Sequence, residues 1–308
     1  MRTKVTPQNN SILITGISGF VGSTVARYFK SQRCQVFGIS RNQLTGLEYP
    51  VYPCSFSPID ISKLLNNLRP EVIFHAAGSS SVGSSLQNPA EDYHHSVALF
   101  QSLLEGVRLS KERPLVVYPS SASVYGNPAS LPIPETARRG PISPYGYHKE
   151  MCELLAEEYH SIFEVPSLVA RIFSLFGSGQ KRLLIWELFN QFKNNTEVVV
   201  EGTGKEARDY LHIDDFVKYL YQTIEAVRDN FTILNIASGQ SITVSEIAHK
   251  IRIFMNSSKS ISFQSILRPG NPNQWRADIS KLQQLVGSIL HNFDAKLKLC
   301  IEQWENAC

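Results

Sequence analysis

The segment Thr15-Gly16-Ile17-Ser18-Gly19-Phe20-Val21-Gly22 follows the first apolar run of the 308-residue chain and spaces three glycines as Gly-x-x-Gly-x-x-Gly. Such glycines permit a tight turn, let a pyrophosphate approach the backbone, and allow a helix to pack closely on a strand. The free N–H groups at the start of that helix favour an anion. Because the segment joins a strand-like run to a helical pattern, it predicts a dinucleotide-binding loop.

Apolar runs of strand length alternate with helix-length segments over roughly the first half of the chain. Both alternating faces of the runs are apolar, which is typical of strands covered by helices on both sides. The predicted strands are 12–15, 35–40, 72–77, 115–119 and 168–173, and the predicted helices are 21–31, 61–68, 90–108 and 145–163. We therefore expect an α/β fold, a Rossmann-type doubly wound parallel sheet with a smaller C-terminal substrate-binding lobe.

The regular alternation stops after about Gly177, where Gly, Pro and Asn become frequent. A helix-like segment at 214–227 and a strand-like segment at 232–236 look like returns to the sheet domain. Thr243 and Glu246 fit a capping box that opens a further helix. These patterns predict an NAD(P)-binding domain from residues 1–176 with 211–240, and a substrate lobe from residues 177–210 with 241–308.

Composition and charge argue against several other classes of protein. The residues are 43% hydrophobic and 19% charged, as in ordinary globular proteins. No apolar run approaches the ~20 residues of a membrane helix, and residues 1–10 lack the apolar core of a signal peptide, so the expected location is the cytoplasm. The net charge of +3 is too small to indicate a nucleic-acid partner. The five cysteines are scattered without a CxxC pair, so we expect reduced thiols and no metal site.

The end of the second predicted strand, Gly38-Ile39-Ser40-Arg41-Asn42, bears on the choice of cofactor. Sites that prefer NAD usually carry Asp or Glu at this point to bind the ribose hydroxyls, but no acidic residue occurs here before Glu48. Ser40 and Arg41 can instead bind a 2′-phosphate, which a carboxylate would repel. We therefore expect NADP(H) to be preferred, with NAD(H) as the alternative.

A set of Ser, Tyr and Lys residues predicts acid–base chemistry. The run Ser143-Pro144-Tyr145-Gly146-Tyr147-His148-Lys149 opens a predicted helix, with serine as its N-cap and proline in its first turn. Tyr145 and Lys149 are then one turn apart on one face, where an ammonium group stabilises a phenolate. The run Ser120-Ser121-Ala122-Ser123-Val124-Tyr125-Gly126 follows a predicted strand and places a hydroxyl at its carboxyl end.

Together these motifs resemble those of the extended short-chain dehydrogenase/reductases, the NAD-dependent epimerase/dehydratase family, which includes sugar-nucleotide epimerases, dehydratases and 4-keto-reductases. The resemblance spans nearly the whole chain. The matching segments are TGISGFVG (15–22), FHAAGSSSV (74–82), SSASVYG (120–126), SPYGYHK (143–149), ARIFSLFG (170–177), RDYLHIDD (208–215), RPG (268–270) and ADISK (277–281).

The resemblance implies roles for individual residues. It implies that Tyr145 is the acid/base, Lys149 its ribose-bound helper and Ser121 the hydroxyl that polarises the substrate oxygen, with Asp60 beside the adenine. The expected cofactor-binding residues are Gly16, Ser18, Gly19, Phe20, Val21, Gly22, Ser40, Arg41, Asp60, Ile61, Ala76, Ala77, Gly78, Tyr145 and Lys149. The expected substrate-binding residues are Ser81, Ser121, Ser123, Ser174, and Arg208 and Arg268, whose guanidinium groups would grip a diphosphate.

Three positions depart from the family pattern. Ser96 and Ser174 stand where Asn is usual, and His148 stands where Ser is usual. The first change touches a group thought to support the lysine, and the second touches a substrate contact. Both leave the identity of the substrate open.

Ala122 and Ser123 bear on the net reaction. Dehydratases of the family carry an acidic pair directly after the hydroxyl residue, and decarboxylases generally keep Glu at the second position, so neither reaction fits. One remaining hypothesis is an NADP(H)-dependent reductase of a keto-sugar nucleotide, of the 4-keto-6-deoxyhexose type. The other is an NAD-dependent sugar-nucleotide C4 epimerase similar to UDP-glucose 4-epimerase. The Ser40-Arg41 pair favours the reductase, because an epimerase never releases its cofactor and usually holds NAD with an acidic residue.

A third hypothesis is a non-catalytic dinucleotide-sensing module, which ranks low because such proteins typically lose the Tyr or the Lys. The family commonly dimerises through two helices per subunit, here 90–108 and 145–163. By this analogy we expect a homodimer that binds a sugar nucleotide, without nucleic-acid or membrane partners.

Overall fold

The computed structural model of the chain describes residues 10–42, 44, 46–228, 230–265, 270 and 272–306. Arg268, one of the two predicted diphosphate ligands, lies outside the described residues. Within them, no helix combines the length and the apolar character that crossing a membrane requires.

The described strands are mostly short, between three and seven residues. They are β1 (Ser11–Thr15), β2 (Gln35–Ser40), β3 (Val51–Pro53), β4 (Val72–His75), β5 (Leu115–Ser121), β6 (Ser167–Ile172), β7 (Ser174–Phe176), β8 (Val198–Val200), β9 (Ala207–His212), β10 (Phe231–Ile236), β11 (Ser241–Thr243) and β12 (Ile261–Phe263).

Helices follow most strands of the first half of the chain. They are α1 (Phe20–Ser31), α2 (Pro58–Leu68), α3 (Val82–Gln87), α4 (Pro89–Tyr93), α5 (Leu99–Leu109), α6 (Pro144–Phe163), α7 (Leu184–Asn194), α8 (Ile213–Ala226), α9 (Val244–Phe254), α10 (Ser280–Val286) and α11 (Phe293–Asn306). A π-helical turn, His94–Ala98, joins α4 to α5, and a 3₁₀ turn, Ala122–Tyr125, follows β5.

The main sheet has seven strands in the order β10-β6-β5-β4-β1-β2-β3. Strand β1 pairs in parallel with both β2 and β4, and the pairs β2–β3 and β4–β5 are also parallel. All five residues of β1 are buried, as expected for a central strand covered on both faces. The predicted Rossmann-type α/β fold is confirmed. Its chain order reverses between β1 and β4, and ligands of such sheets bind at this switch point, beyond the carboxyl ends of the strands.

Local capping explains where the elements differ from the sequence prediction. Helix α2 begins at Pro58, three residues before the predicted start, because Ser57 Oγ accepts a hydrogen bond from Asp60 N. The predicted helix 90–108 is present but contains the π-helical turn. The predicted capping box of Thr243 and Glu246 is confirmed at the start of α9. Strands of three residues, such as β3, β7 and β8, show no periodicity that a sequence pattern could reveal.

The chain divides into two compact units. The first comprises Met1–Ser120, His148–Ala170 and Thr223–Ile233, and the second comprises Ser121–Tyr147, Arg171–Gln222 and Leu234–Cys308. The division into a cofactor domain and a substrate lobe, with the boundaries given above, remains a prediction.

Each unit has its own hydrophobic core. In the first, α2 packs on α5, where Gly106 brings the helix backbone against Ile61. In the second, Phe176, Phe189 and Trp304 lie in one cluster, and Tyr125, Phe173 and Trp275 lie in another.

Candidate active site

The glycine loop of the first unit joins β1 to α1. Gly16 has φ +65°, and a Cβ at this position would lie 2.6 Å from the backbone of Ala76 and Ala77, so only glycine fits. A Cβ at Gly22 would overlap the carbonyl oxygen of Gly16. Gly19, the N-cap of α1, offers no side-chain acceptor, and the first turn contains no acidic residue. The N-cap residue and the first turn therefore provide no side-chain acceptor for the N–H groups that open α1, as an anion site at a helix N-terminus requires.

The segment after β4 lies against this loop. Ala76 N donates to Thr15 O at 3.1 Å, and Ala77 N donates to Thr15 Oγ1 at 3.1 Å. The predicted cofactor residues 76–78 thus adjoin the glycine loop at the switch point. Gly78 has φ +142°, and Ser81 caps α3 by accepting from Ser84 N. The remaining predicted loop residues, Ser18, Phe20 and Val21, lie at the start of α1 and are exposed or partly exposed.

His75 closes β4 and hydrogen-bonds through Nδ1 to Thr15 Oγ1 at 3.0 Å. It is 1% exposed, and burial, with a smaller contribution from the cation of Lys149, lowers the pKa of its imidazole to about 3. The imidazole is therefore neutral at physiological pH, because a buried charge without a partner is strongly disfavoured.

The edge of the sheet beyond β2 carries the residues predicted to bind the adenosine. Ser40 is partly exposed and Arg41 is exposed. Asp60 lies in the first turn of α2, and hydrogen bonds from the hydroxyl groups of Ser55, at 2.6 Å, and Ser57 lower the pKa of its carboxyl. Ile61, the next residue, is fully buried beneath it.

Lys149 and Tyr145 both lie on α6, four residues apart. Lys149 is 7% exposed, donates from Nζ to Pro119 O at 2.8 Å, and lies 4.7 Å above the ring of Tyr118. One turn further along α6, Glu153 is buried and its Oε1 accepts from Ser120 Oγ at 2.6 Å. The carboxyl end of β5 is therefore tied to the helix that carries the lysine.

A second buried pair of side chains adjoins this turn of α6 within the first unit. His148 Nδ1 lies 2.5 Å from Asp92 Oδ2, and neither side chain is appreciably exposed to solvent. The other carboxylate oxygen of Asp92 and the hydroxyl of Ser96, one turn further along the same helix, are both buried without a hydrogen-bond partner. The departures from the family pattern at positions 148 and 96 thus lie on the two helical segments that the His148–Asp92 pair joins.

In the second unit, the start of α6 packs against the 3₁₀ turn that follows β5. Ser143 Oγ accepts from Gly146 N at 3.2 Å, which confirms Ser143 as the N-cap of α6. A Cβ on Gly146 would lie 2.8 Å from Ser123 O, so glycine is required for this close approach. Ser121 Oγ accepts from Ser123 N at 3.1 Å, which leaves the Ser121 hydroxyl proton able to donate. The hydroxyl of Ser123 is buried without a hydrogen-bond partner.

Arg208 and Ser174 lie on neighbouring strands of the small sheet β11-β9-β7, with Ser174 paired to Tyr210. Arg208 donates to the carbonyl oxygens of Ala207, Pro272 and Asn273, and burial lowers the pKa of its guanidinium. Asp209, the next residue of β9, is buried and accepts four hydrogen bonds from Ser238, Gly239 and Ala277.

Among the described residues no cluster of three or more His, Cys, Asp or Glu side chains forms a metal-ligand set.

Comparison with known protein families shows which family the chain belongs to. Residues 12–237 match the model of the NAD dependent epimerase/dehydratase family. The chain belongs to this family. Its members are enzymes of the extended short-chain dehydrogenase/reductase type, so the resemblance noted in the sequence is confirmed.

Curated relatives in the family cover most of the chain. An uncharacterized UDP-glucose epimerase of Bacillus subtilis, YtcB, is 27% identical over 293 residues, which are 89% of this chain and 91% of that protein. A putative UDP-glucose 4-epimerase of Methanocaldococcus jannaschii is 26% identical over 246 residues, 77% of this chain and 79% of the relative.

Solved structures of family members share the fold. MoeE5 in complex with UDP-glucuronic acid and NAD is 25% identical and superposes with a TM-score of 0.88, covering 97% of this chain and 100% of its own. The UDP-glucose 4-epimerase of Thermotoga maritima, solved with UDP-glucose, is 24% identical with a TM-score of 0.87, covering 96% of this chain and 99% of its own.

Three residues of this region were not recognised in the sequence as parts of the site. Glu153 lies one turn beyond Lys149, a spacing that a search for buried acids on the same helix face would have found. Asp92 shows no pattern in the sequence, because its partner His148 is 56 residues away. Trp275 belongs to none of the motifs quoted from the sequence, and its ring lies against Arg208.

Proposed function

We propose that the chain is an NAD-dependent C4 epimerase of a UDP-sugar. The observation that carries the proposal is the turn Ser121-Ala122-Ser123, where neutral residues follow the hydroxyl that the acid–base step requires. The names of the relatives point to the same reaction, since YtcB, the Methanocaldococcus relative and the Thermotoga structure are all named as UDP-glucose epimerases. NAD, when bound, supplies a hydride acceptor that later returns the hydride.

The glycine loop fits the diphosphate of such a cofactor. Gly16 allows the loop to approach Ala76 closely, and the N-cap of α1, Gly19, has no side chain to cap the N–H groups of the first turn. Asp60, Ser40 and the segment 76–78 border the same edge and hold the adenosine part. Lys149 binds the nicotinamide ribose.

The chemical step requires a base at the sugar hydroxyl. Tyr145, as phenolate, takes the proton from the C4 hydroxyl, and Ser121 donates a hydrogen bond to the same oxygen. After the keto sugar has rotated in the site, Tyr145 returns the proton to the oxygen at C4. The ammonium of Lys149, one turn away on α6, stabilises the phenolate through its charge. The substrate is bound by three further serines and two arginines, namely Ser81, Ser123, Ser174, Arg208 and Arg268.

A keto-sugar reductase using NADPH is the second candidate, and one observation favours it. Arg41 is exposed at the end of β2, and neither Ser40 nor any residue before Glu48 provides a carboxylate for the ribose of NAD. A 2′-phosphate would suit this edge better than a 2′-hydroxyl does. The MoeE5 complex argues against the reductase, because it contains NAD together with a UDP-sugar.

The cofactor and the reaction separate the two candidates. The protein is purified, denatured, and its released cofactor identified by mass spectrometry. It is then incubated with UDP-glucose or UDP-glucuronic acid without added cofactor, and the C4 epimer is measured by chromatography. Retained NAD and interconversion of epimers support the epimerase. An empty protein that binds NADPH more tightly than NADH, with no epimer formed, supports the reductase. Binding of neither nucleotide contradicts both.

We further propose a homodimer assembled through α6. Tyr147, Met151 and Leu154 are between 41% and 50% exposed and follow one another at spacings of four and three residues, so they form an apolar stripe on that helix. Light scattering coupled to size exclusion gives the mass directly, and Met151→Glu with Leu154→Lys should yield a monomer. A monomeric wild-type protein at micromolar concentration would contradict the assembly.

A further inference from the structure

Trp275 lies against the guanidinium of Arg208 in the second unit. The Arg208 Cζ atom is 5.2 Å from the centroid of the ring, which is within the range of a cation–π contact. The edge of the guanidinium is held as well, because its NH groups donate to Ala207 O at 2.9 Å, to Pro272 O at 2.6 Å and to Asn273 O at 3.2 Å. The position of the cation is therefore defined from its face and from its edge.

The indole is itself fixed by polar contacts as well as by packing. Trp275 is 8% exposed, its Nε1 donates to Gly126 O at 2.9 Å, and its backbone N donates to Ala207 O at 3.0 Å. Phe173 packs edge-on against its ring. A buried indole N–H requires an acceptor even where the ring only packs, but a packing ring does not require the contact with a cation.

The bond to Gly126 leads to the hydroxyl-bearing turn. Gly126 ends the 3₁₀ turn that begins directly after Ser121, and it has φ +56° with its Cα packed against Gly140. The next residue, Asn127, accepts from Asn273 N through Oδ1 at 3.0 Å. Two hydrogen bonds thus join the end of the turn to the segment 273–275, and the same segment contacts the guanidinium of Arg208.

We infer that Trp275 is a positioning residue that orients Arg208 for the diphosphate of the nucleotide and couples Arg208 to the turn carrying Ser121 and Ser123. The inference rests on the proposed function, in which Arg208 binds the substrate diphosphate. The face of the ring acts on the cation, and the indole N–H acts on the turn. The two contacts are on different parts of one side chain, so substitutions can separate them.

Two substitutions distinguish the two contacts. Trp275→Leu removes the ring face and the N–H, whereas Trp275→Phe keeps a ring face and removes only the N–H. With the leucine variant, the dissociation constant of UDP and the KM for the UDP-sugar should rise roughly ten-fold, the order expected for loss of a partly desolvated cation–π contact. With the phenylalanine variant, UDP affinity should stay within about two-fold of wild type while kcat falls several-fold, because the neutral hydrogen bond to the turn is lost.

Trp304 is the matched control. It lies 3% exposed in the other core cluster of the second unit, and its Nε1 also donates to a carbonyl oxygen, that of Ser178. Trp304→Leu and Trp304→Phe should lower the thermal unfolding temperature without changing UDP affinity. UDP binding is measured by calorimetry on the protein saturated with its cofactor, beside uridine and inorganic pyrophosphate as probes. The loss in Trp275→Leu should appear with UDP and pyrophosphate and be absent with uridine.

The outcomes separate this inference from the proposed function. Equal UDP affinity in wild type and Trp275→Leu, with the leucine variant still folded by circular dichroism, overturns the inference while the epimerase assignment stands. An equal loss of UDP affinity in Trp304→Leu also overturns it, since the effect would then be one of stability. If the wild type binds pyrophosphate but does not bind UDP, the assigned nucleotide is wrong. The affinities of the variants are then compared with pyrophosphate as the probe. Binding of neither probe overturns both.

Discussion

His148 Nδ1 lies 2.5 Å from Asp92 Oδ2 between α6 and α4, with both side chains buried in the first unit. His148 directly precedes Lys149 in sequence, so the pair fixes the turn of α6 from which the lysine projects. The remaining carboxylate oxygen of Asp92 has no hydrogen-bond partner, so His148 provides the interaction that compensates this buried acid.

Removing one member of this pair should destabilise the protein more than removing both. His148→Leu leaves the Asp92 carboxylate buried and uncompensated, and we expect a loss of about 3 kcal/mol in the free energy of unfolding. In the double variant His148→Leu with Asp92→Leu the loss should be at most half of that. Urea unfolding followed by circular dichroism measures both, and His95→Leu, exposed on the same helical run, should change the value by less than about 0.5 kcal/mol. Additive losses from the two single variants would show that the pair is not coupled.

The buried His75 should make stability fall in weak acid. The folded-state pKa of about 3 lies below the unfolded value of 6.5 because of burial and then of Lys149, so the unfolded chain takes up a proton first. Protonation of His75 in the unfolded chain does not affect stability above about pH 6.5. The free energy of unfolding then decreases as the pH falls from about 6.5 towards 3. Between pH 7.5 and pH 5 the wild type should lose about 2 kcal/mol more than His75→Gln does.

The comparison uses the difference between the two pH values, so any loss that His75→Gln causes at both values cancels. His95→Gln, with an exposed imidazole, serves as the control and should follow the wild type. Parallel pH curves for wild type and His75→Gln would mean that His75 titrates alike in the folded and unfolded chains.

The glycine loop should lose its cofactor when it gains a side chain. A Cβ on Gly22 overlaps Gly16 O, so Gly22→Ala must displace the turn that we propose binds the diphosphate. We expect the cofactor content of the purified protein to fall at least ten-fold, with a decrease in unfolding free energy of the order of 1–3 kcal/mol from overpacking. Gly83→Ala, where the nearest atom to a Cβ is 3.9 Å away, should retain full cofactor content. Full retention in Gly22→Ala would rule out this loop as the diphosphate site.

Tyr145→Phe tests the acid–base role. Removal of a positioned general acid or base typically costs 10²–10⁴-fold in rate, and we expect a loss of kcat in this range. Cofactor content should stay within about two-fold of wild type, because Tyr145 contributes only one hydroxyl to that site. Tyr147→Phe, two residues on and half exposed, is the matched control and should keep its rate. An unchanged kcat in Tyr145→Phe would exclude Tyr145 as the acid–base residue.

Local sequence patterns identified many of the elements that frame the candidate site. The glycine spacing, the apolar runs 12–15 and 35–40 and the Ser143 cap appear in the structure where the sequence placed them. Interactions of this kind involve residues within a few positions of one another, so periodicity and capping chemistry are enough to predict them. Cofactor preference was less accessible, because it depends on how Ser40 and Arg41 face a ribose.

By itself the sequence determined the strand–helix order, the glycine-spaced turn and the family, since each depends on residue types at short fixed spacings. Only the tertiary structure decided that Asp92 meets His148, that Glu153 meets Ser120, and that Trp275 lies over Arg208. These partners are between 33 and 67 residues apart, and chain folding brings them together through packing that no local pattern records.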